Sequence, residues 1–233
     1  MTQGHVFKNF DSKAALQQAA ADWIAEALED AIDRRGSATF MGSGGRTPGP
    51  IYETLSNSDL DWMKVQVGLC DERWVDSDHP DSNGAMIERT LLQNKAAAAD
   101  YVPMKITGDD PFAAVEAVND LYLDAGLTDV MLLGMGPDAH TLSWFTGARG
   151  YEAAIDADTT SVVTAIEAIE SDVTGPNLLR MTLTQPCVAY ARKVLLLITG
   201  ADKRAVFEAA DDNAPVSLMK RAAGRALTVY YCD

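Results

Sequence analysis

A chain of 233 residues that is 47% hydrophobic and 23% charged is long enough to bury a core without disulfide or metal staples. Its net charge of −15 disfavours a nucleic-acid partner, because a phosphate backbone wants a basic face; a local cluster of Arg and Lys can still bind one small anion. No apolar run approaches the ~18 residues a membrane span needs, and the three scattered cysteines, Cys70, Cys187 and Cys232, fit reduced thiols in a cytoplasmic protein better than a disulfide or zinc framework.

From Met1 to Asp11 there is no basic segment leading into an apolar one, so no secretory signal is expected. Residues 12–35 read as a helix. Asp11 or Ser12 caps it, Leu16, Ala20, Trp23, Ala27 and Ala31 form its apolar stripe, and Gly36 ends it. A short strand at 38–41 runs into Gly42-Ser43-Gly44-Gly45, and Thr47-Pro48 opens a second helix with Gly49-Pro50 near its first turn. Residues 65–69 alternate as a strand, 71–81 read as a polar loop, and Ser82-Asn83 cap a helix to about 93. A short edge piece follows at 101–103, then a helix at 111–125 ended by Gly126. The apolar run 130–133 reads as a buried strand. Two β-rich runs, 161–165 and 179–184, follow closely. The chain closes with a strand at 193–199, a helix at 201–210 and a strand at 227–231. Strands that alternate with helices predict an α/β fold with a mostly parallel sheet and helices on both faces. The stretch 161–184 breaks the alternation and predicts one or two antiparallel neighbours. No linker or repeat divides the chain, so residues 1–233 are expected to form one domain.

Four loops each follow an expected strand and carry polar groups. Leu132-Leu133-Gly134-Met135-Gly136-Pro137-Asp138-Ala139-His140-Thr141 says most, because the carboxyl end of a buried parallel strand faces the crevice where such sheets bind ligands. Neutral imidazole takes a proton from water at neutral pH, and a carboxylate two residues away can orient the ring or stabilise its cation. Gly44, Gly45, Arg46 and Thr47 precede a helix, where backbone N–H groups and the helix terminus suit a phosphate; the same loop also reads as a tight strand-to-helix turn. Asp71, Glu72 and Arg73 can bind sugar hydroxyls and a phosphate together, or form a solvated charged loop. Lys203 stands in a helix's first turn, where a cation is unfavourable unless an anion joins it. Arg180 lies among apolar residues and needs a partner.

Taken in order, Ser43-Gly44-Gly45-Arg46-Thr47-Pro48, Asp71-Glu72-Arg73-Trp74-Val75, the stretch from Asp78-His79 to Asp81-Ser82-Asn83, Gly134 to Thr141 with Ser143-Trp144-Phe145, Arg180-Met181-Thr182-Leu183-Thr184 and Gly200-Ala201-Asp202-Lys203 resemble the 6-phosphogluconolactonases. The resemblance runs from the first strand almost to Asp233. It implies the three-layer α/β/α, Rossmann-like fold of the glucosamine-6-phosphate deaminase/ribose-5-phosphate isomerase-like superfamily, with no required metal or cofactor. The implied reaction is hydrolysis of 6-phospho-D-glucono-1,5-lactone to 6-phosphogluconate in the pentose phosphate pathway, by a monomer or small homo-oligomer. The family's catalytic histidine falls on His140, and its phosphate-binding basic residues on Arg73 and Lys203. Arg180 matches the Arg that opens the Thr-Leu-Thr strand. Two positions depart from the pattern: Ala139 stands where the family has Gly, and Arg46 where it has Ser or Thr.

On this resemblance His140 is the expected general base, Asp138 or Asp71 orients the ring or the sugar hydroxyls, and Arg73, Lys203 and Arg46 hold the phosphate. Two rivals remain. An amino-sugar-phosphate deaminase or isomerase shares the fold but normally carries a Glu soon after the His, and Thr141 to Gly147 contains no acid. A non-catalytic sugar-phosphate-binding protein is the other.

Overall fold

A computed structural model of the chain describes residues 5–233, so the first four residues of the stretch read for a signal lie outside it. Strand β1 (Val6–Asn9) leads into α1 (Lys13–Arg35), where Ser12 Oγ accepts from Ala15 N at 3.2 Å and Gly36 N closes the last turn on Ile32 O at 2.7 Å. Then follow β2 (Ala38–Gly42), α2 (Gly49–Leu55), β3 (Val65–Leu69), β4 (Asp71–Arg73), α3 (Asn83–Thr90), β5 (Asp100–Tyr101), α4 (Pro111–Asp124) and β6 (Val130–Gly134). The second half holds α5 (Tyr151–Ile155), β7 (Val163–Glu167), β8 (Leu179–Leu183), α6 (Gln185–Tyr190), β9 (Lys193–Thr199), α7 (Ala201–Ala209), α8 (Pro215–Ala223) and β10 (Leu227–Cys232).

Seven strands form one parallel sheet in the order β1-β10-β9-β6-β2-β3-β5. Helices flank it, and β2 is buried at every residue, the pattern of a parallel strand covered on both faces. The chain winds outward from β2 toward β3 and from β6 toward β9. The β2/β6 neighbours are therefore the topological switch point, where loops leave in opposite directions and open a crevice.

Two expectations need correction, and some elements were not read from sequence at all. The β-rich runs near 161–184 pair antiparallel as expected but do not join the central sheet; β8 pairs with both β4 and β7 in a separate three-stranded sheet of order β4-β8-β7. The polar loop 71–81 begins as that sheet's edge strand β4. Its charged sequence hid it, because a strand of three ionisable residues shows no apolar alternation. Strand β1 went unread because it is only four residues long and mostly exposed, and the short helices α5, α6 and α8 carried no separate signal.

Candidate active site

The loops after β2, β6 and β9 meet strands β4 and β8 around one cavity of about 700 Å³. Gly44, Gly45, Arg46 and Thr47 line it from the β2 loop, His140 from the β6 loop, Asp71 and Arg73 from β4, Arg180 from β8 and Lys203 from the first turn of α7. Nine of the eleven site residues expected from sequence thus converge on it. Asp138 supports the site from behind His140, and Glu72 is turned away.

His140 is half-buried, with Nδ1 at 2.5 Å from Asp138 Oδ1. The same oxygen accepts the His140 backbone N–H at 3.3 Å. Burial alone would raise the Asp138 carboxyl, but the hydrogen bond and charge of His140 outweigh it and hold the carboxyl below its ordinary value. An ionised Asp138 on Nδ1 fixes the ring, and among the described residues Nε2 makes no hydrogen bond. Gly136 gives the pair its room: a Cβ there would lie 2.2 Å from His140 Nδ1 and 2.6 Å from Asp138 Oδ1. Ala139 takes φ +66, a left-handed conformation that a glycine would enter freely.

Strand alternation sorts the acidic-basic run of β4. Asp71 and Arg73 share one face, and Glu72 points to the other. Glu72 is buried, and its two oxygens accept from Arg73 N (2.7 Å), Asn83 N (2.7 Å), Gly84 N (2.7 Å) and Ser82 Oγ (2.9 Å). Burial raises its pKa, with those hydrogen bonds opposing the shift. Glu72 therefore anchors β4 to the start of α3 and has no lone pair aimed at the cavity, which corrects its expected place among the substrate-binding residues. On the cavity face, Asp71 Oδ2 accepts from Ser143 Oγ at 2.6 Å, and Arg73 Nη1 donates to Asn83 Oδ1 at 2.6 Å and Asp81 O at 3.0 Å.

Arg73 and Arg180 face each other across the β4–β8 register, a like-charged pair that an anion between them would relieve. Arg180 is 4% exposed, donates from Nη2 to Thr174 O at 2.7 Å, and leaves Nε without a partner, the one such buried side-chain nitrogen or oxygen among the described residues. Burial lowers its pKa, Asp71 raises it and Arg73 lowers it further. Lys203 Nζ donates to Met135 O at 2.7 Å. Burial and then the charge of Arg46 lower its pKa, and Asp138 opposes them. Arg46 itself is exposed at the rim. A cationic pocket inside a chain of net charge −15 is a site for a small anion.

Lys13 was not singled out from sequence, and Ser43, Asn83 and Ser143 were named there only within motifs, without a role at the site. Ser43 and Asn83 line the cavity, as does Lys13 from the start of α1; Ser143 acts through Asp71. The signal for Asn83 was its place beside the helix cap, but the cap is Ser82, whose Oγ accepts from Ala85 N at 3.0 Å. Cys70 is buried, and burial pushes its thiol up, away from reactivity. His79 stays in its loop, its Nδ1 accepting from Asp81 N at 3.1 Å. Among the described residues no group of acidic, His and Cys side chains could hold a metal ion.

A parallel sheet with a His–Asp pair and several cations at its switch point defines an α/β protein of the glucosamine-6-phosphate deaminase-like fold. The chain belongs to the family described as glucosamine-6-phosphate isomerases/6-phosphogluconolactonase, whose model matches residues 11–228. It is 35% identical to a 6-phosphogluconolactonase of Neisseria meningitidis, covering 98% of this chain and 99% of that one. It is 36% identical to one of Rhizobium meliloti, covering 97% of each. The crystal structure of a 6-phosphogluconolactonase from Shewanella baltica matches over the full length of both chains with TM-score 0.90 and 32% identity. A monomeric glucosamine-6-phosphate deaminase, at 18% identity and TM-score 0.75, shares the fold.

Proposed function

We propose that this chain hydrolyses 6-phospho-D-glucono-1,5-lactone to 6-phosphogluconate, the step its named relatives perform in the pentose phosphate pathway. The observation that carries the reading is the single cavity in which His140, backed by Asp138, faces Arg73, Arg180 and Lys203. The family match over residues 11–228 supports one working domain. Among the described residues no helix is long and apolar enough to cross a membrane, which is compatible with a cytoplasmic enzyme.

His140 Nε2 takes a proton from water as the oxygen attacks the lactone carbonyl carbon. Asp138 holds the Nδ1–H and stabilises the imidazolium. When the ring C–O bond breaks, the imidazolium returns the proton to the leaving oxygen, which becomes the sugar's C5 hydroxyl. Water is the only co-reactant. Asp71 accepts from sugar hydroxyls, and Arg73, Lys203 and Arg46 hold the phosphate. Arg180 Nε gains a substrate oxygen as its missing acceptor. Because a lactone is an activated ester, a positioned base worth roughly 10²–10⁴-fold and an oriented carbonyl suffice for the acceleration.

Acid release from freshly made lactone, above the spontaneous rate, tests the reading directly. Turnover of glucosamine-6-phosphate instead would make the chain a deaminase, and binding without turnover of either would make it a sensor. His140→Ala is expected to lower kcat by about two or more decades with KM little changed. A near wild-type kcat in that variant would remove His140 as the base. Arg73→Ala is expected chiefly to raise KM, by roughly ten- to hundredfold for a lost charged hydrogen bond.

A further inference from the structure

Asp71 and Arg73 carry opposite charges on one face of β4, two residues apart, at the edge of the cavity. Left to themselves, such neighbours close into an ion pair. Among the described residues no salt bridge joins Asp71 to Arg73 or to Arg180. What stands between them is the carboxamide of Asn83, a residue only 2% exposed. Its Nδ2 donates to Asp71 O at 2.8 Å and Asp71 Oδ1 at 3.3 Å, and its Oδ1 accepts from Arg73 Nη1 at 2.6 Å. The amide's positive end meets the carboxylate and its negative end meets the guanidinium, so one neutral group satisfies both without cancelling either charge. Ser82 does the capping of α3, which frees the Asn83 side chain, and the bond from Asn83 N to Glu72 Oε1 at 2.7 Å fixes its backbone. The loop after β2 is shaped to this amide as well: a Cβ on Gly44 would lie 1.8 Å from Asn83 Oδ1.

We infer that Asn83 is a positioning residue that acts as a spacer, holding Asp71 and Arg73 apart so that both stay available to the sugar phosphate. The inference rests on the lactonase reading for the identity of the ligand. Without the spacer, Arg73 swings onto Asp71 and the pair neutralises itself, which removes a phosphate donor and a hydroxyl acceptor in one move.

The test measures the affinity of 6-phosphogluconate by calorimetry, independently of turnover, in a double-mutant cycle. Asn83→Ala is expected to weaken binding at least tenfold in the wild-type background and less than twofold in the Arg73→Ala background. A crystal structure of Asn83→Ala is expected to show Arg73 within ion-pair distance of Asp71. Additive losses in the cycle, or an Asn83→Ala variant that binds like wild type, would overturn the spacer role. Should Asn83→Ala fail to fold, the isosteric Asn83→Asp replaces it. Its carboxylate neutralises Arg73 and repels Asp71, so affinity again falls at least tenfold and only while Arg73 is present; unchanged affinity there overturns the role too. If the wild-type chain binds 6-phosphogluconate but does not open the lactone, the lactonase reading falls while the cycle still reports on Asn83.

Discussion

At Ala139 the loop after β6 holds a left-handed turn with a side chain that resists it. The φ of +66 costs an L-residue about 1–2 kcal/mol. Three residues on, Leu142 does the same at φ +52. The conformation persists because its surroundings fix it: Ala139 N donates to Gly136 O at 3.2 Å, Val216 N donates to Ala139 O at 3.0 Å, and Gly136 N donates to His140 O at 2.9 Å. Ala139→Gly relieves the strain but adds freedom to the unfolded chain worth about 0.4–1 kcal/mol, so a net gain of about 0.5–1 kcal/mol is expected. Denaturant unfolding measures it, and kcat should stay within about twofold because the surrounding bonds already hold His140. A loss of stability in that variant would show that the Ala139 methyl packs better than its backbone conformation suggests.

Between elements, the junction of β4 and α3 carries the site. Four donors converge on the Glu72 carboxylate, two on each oxygen. Glu72→Gln places an NH₂ against two of them, and whichever way the amide faces at least one buried backbone N–H is orphaned, at about 1–3 kcal/mol. Its pH dependence has a definite sign. The folded pKa lies above the ordinary 4.5, so the wild-type carboxyl contributes stability that is full below that value and is lost as pH rises through the folded value. Glutamine does not titrate. The stability gap between wild type and Glu72→Gln should therefore be wider near about pH 4 than near about pH 7, measured by urea unfolding at both. A gap that widens with pH would mean the carboxylate, not the acid, is the favoured buried form.

For the molecule as a whole, a net charge of −15 and a cationic cavity pull in opposite directions on an anionic ligand. The cavity prevails locally because its charges lie within contact range and partly out of water, whereas the acidic surface is screened beyond ~8 Å at physiological salt. Binding the product should therefore stabilise the fold. At one hundred times its Kd, 6-phosphogluconate adds about 2.7 kcal/mol, which for a chain of this length raises Tm by roughly 5–11 °C in a thermal melt. Lys203→Ala should shrink that shift, and a melt indifferent to the ligand would argue against the cavity as its site.

Much of this architecture was legible in the chain. The buried strands β2, β3, β6 and β9 announced themselves as apolar runs between glycines and caps, and their alternation with helices fixed a parallel sheet whose carboxyl ends hold the site. His140, Asp138, Arg73 and Lys203 could be picked out because local sequence places them at those ends. Glu72 and Asn83 could not be placed correctly, since facing depends on whether 71–73 is loop or strand. That was settled by pairing with β8, more than a hundred residues away in sequence. Hydrophobic periodicity is a local property, and the sequence by itself determined the elements that depend on it. Which side chains face one another across the cavity is a property of non-local strand register, and only the tertiary structure decided that.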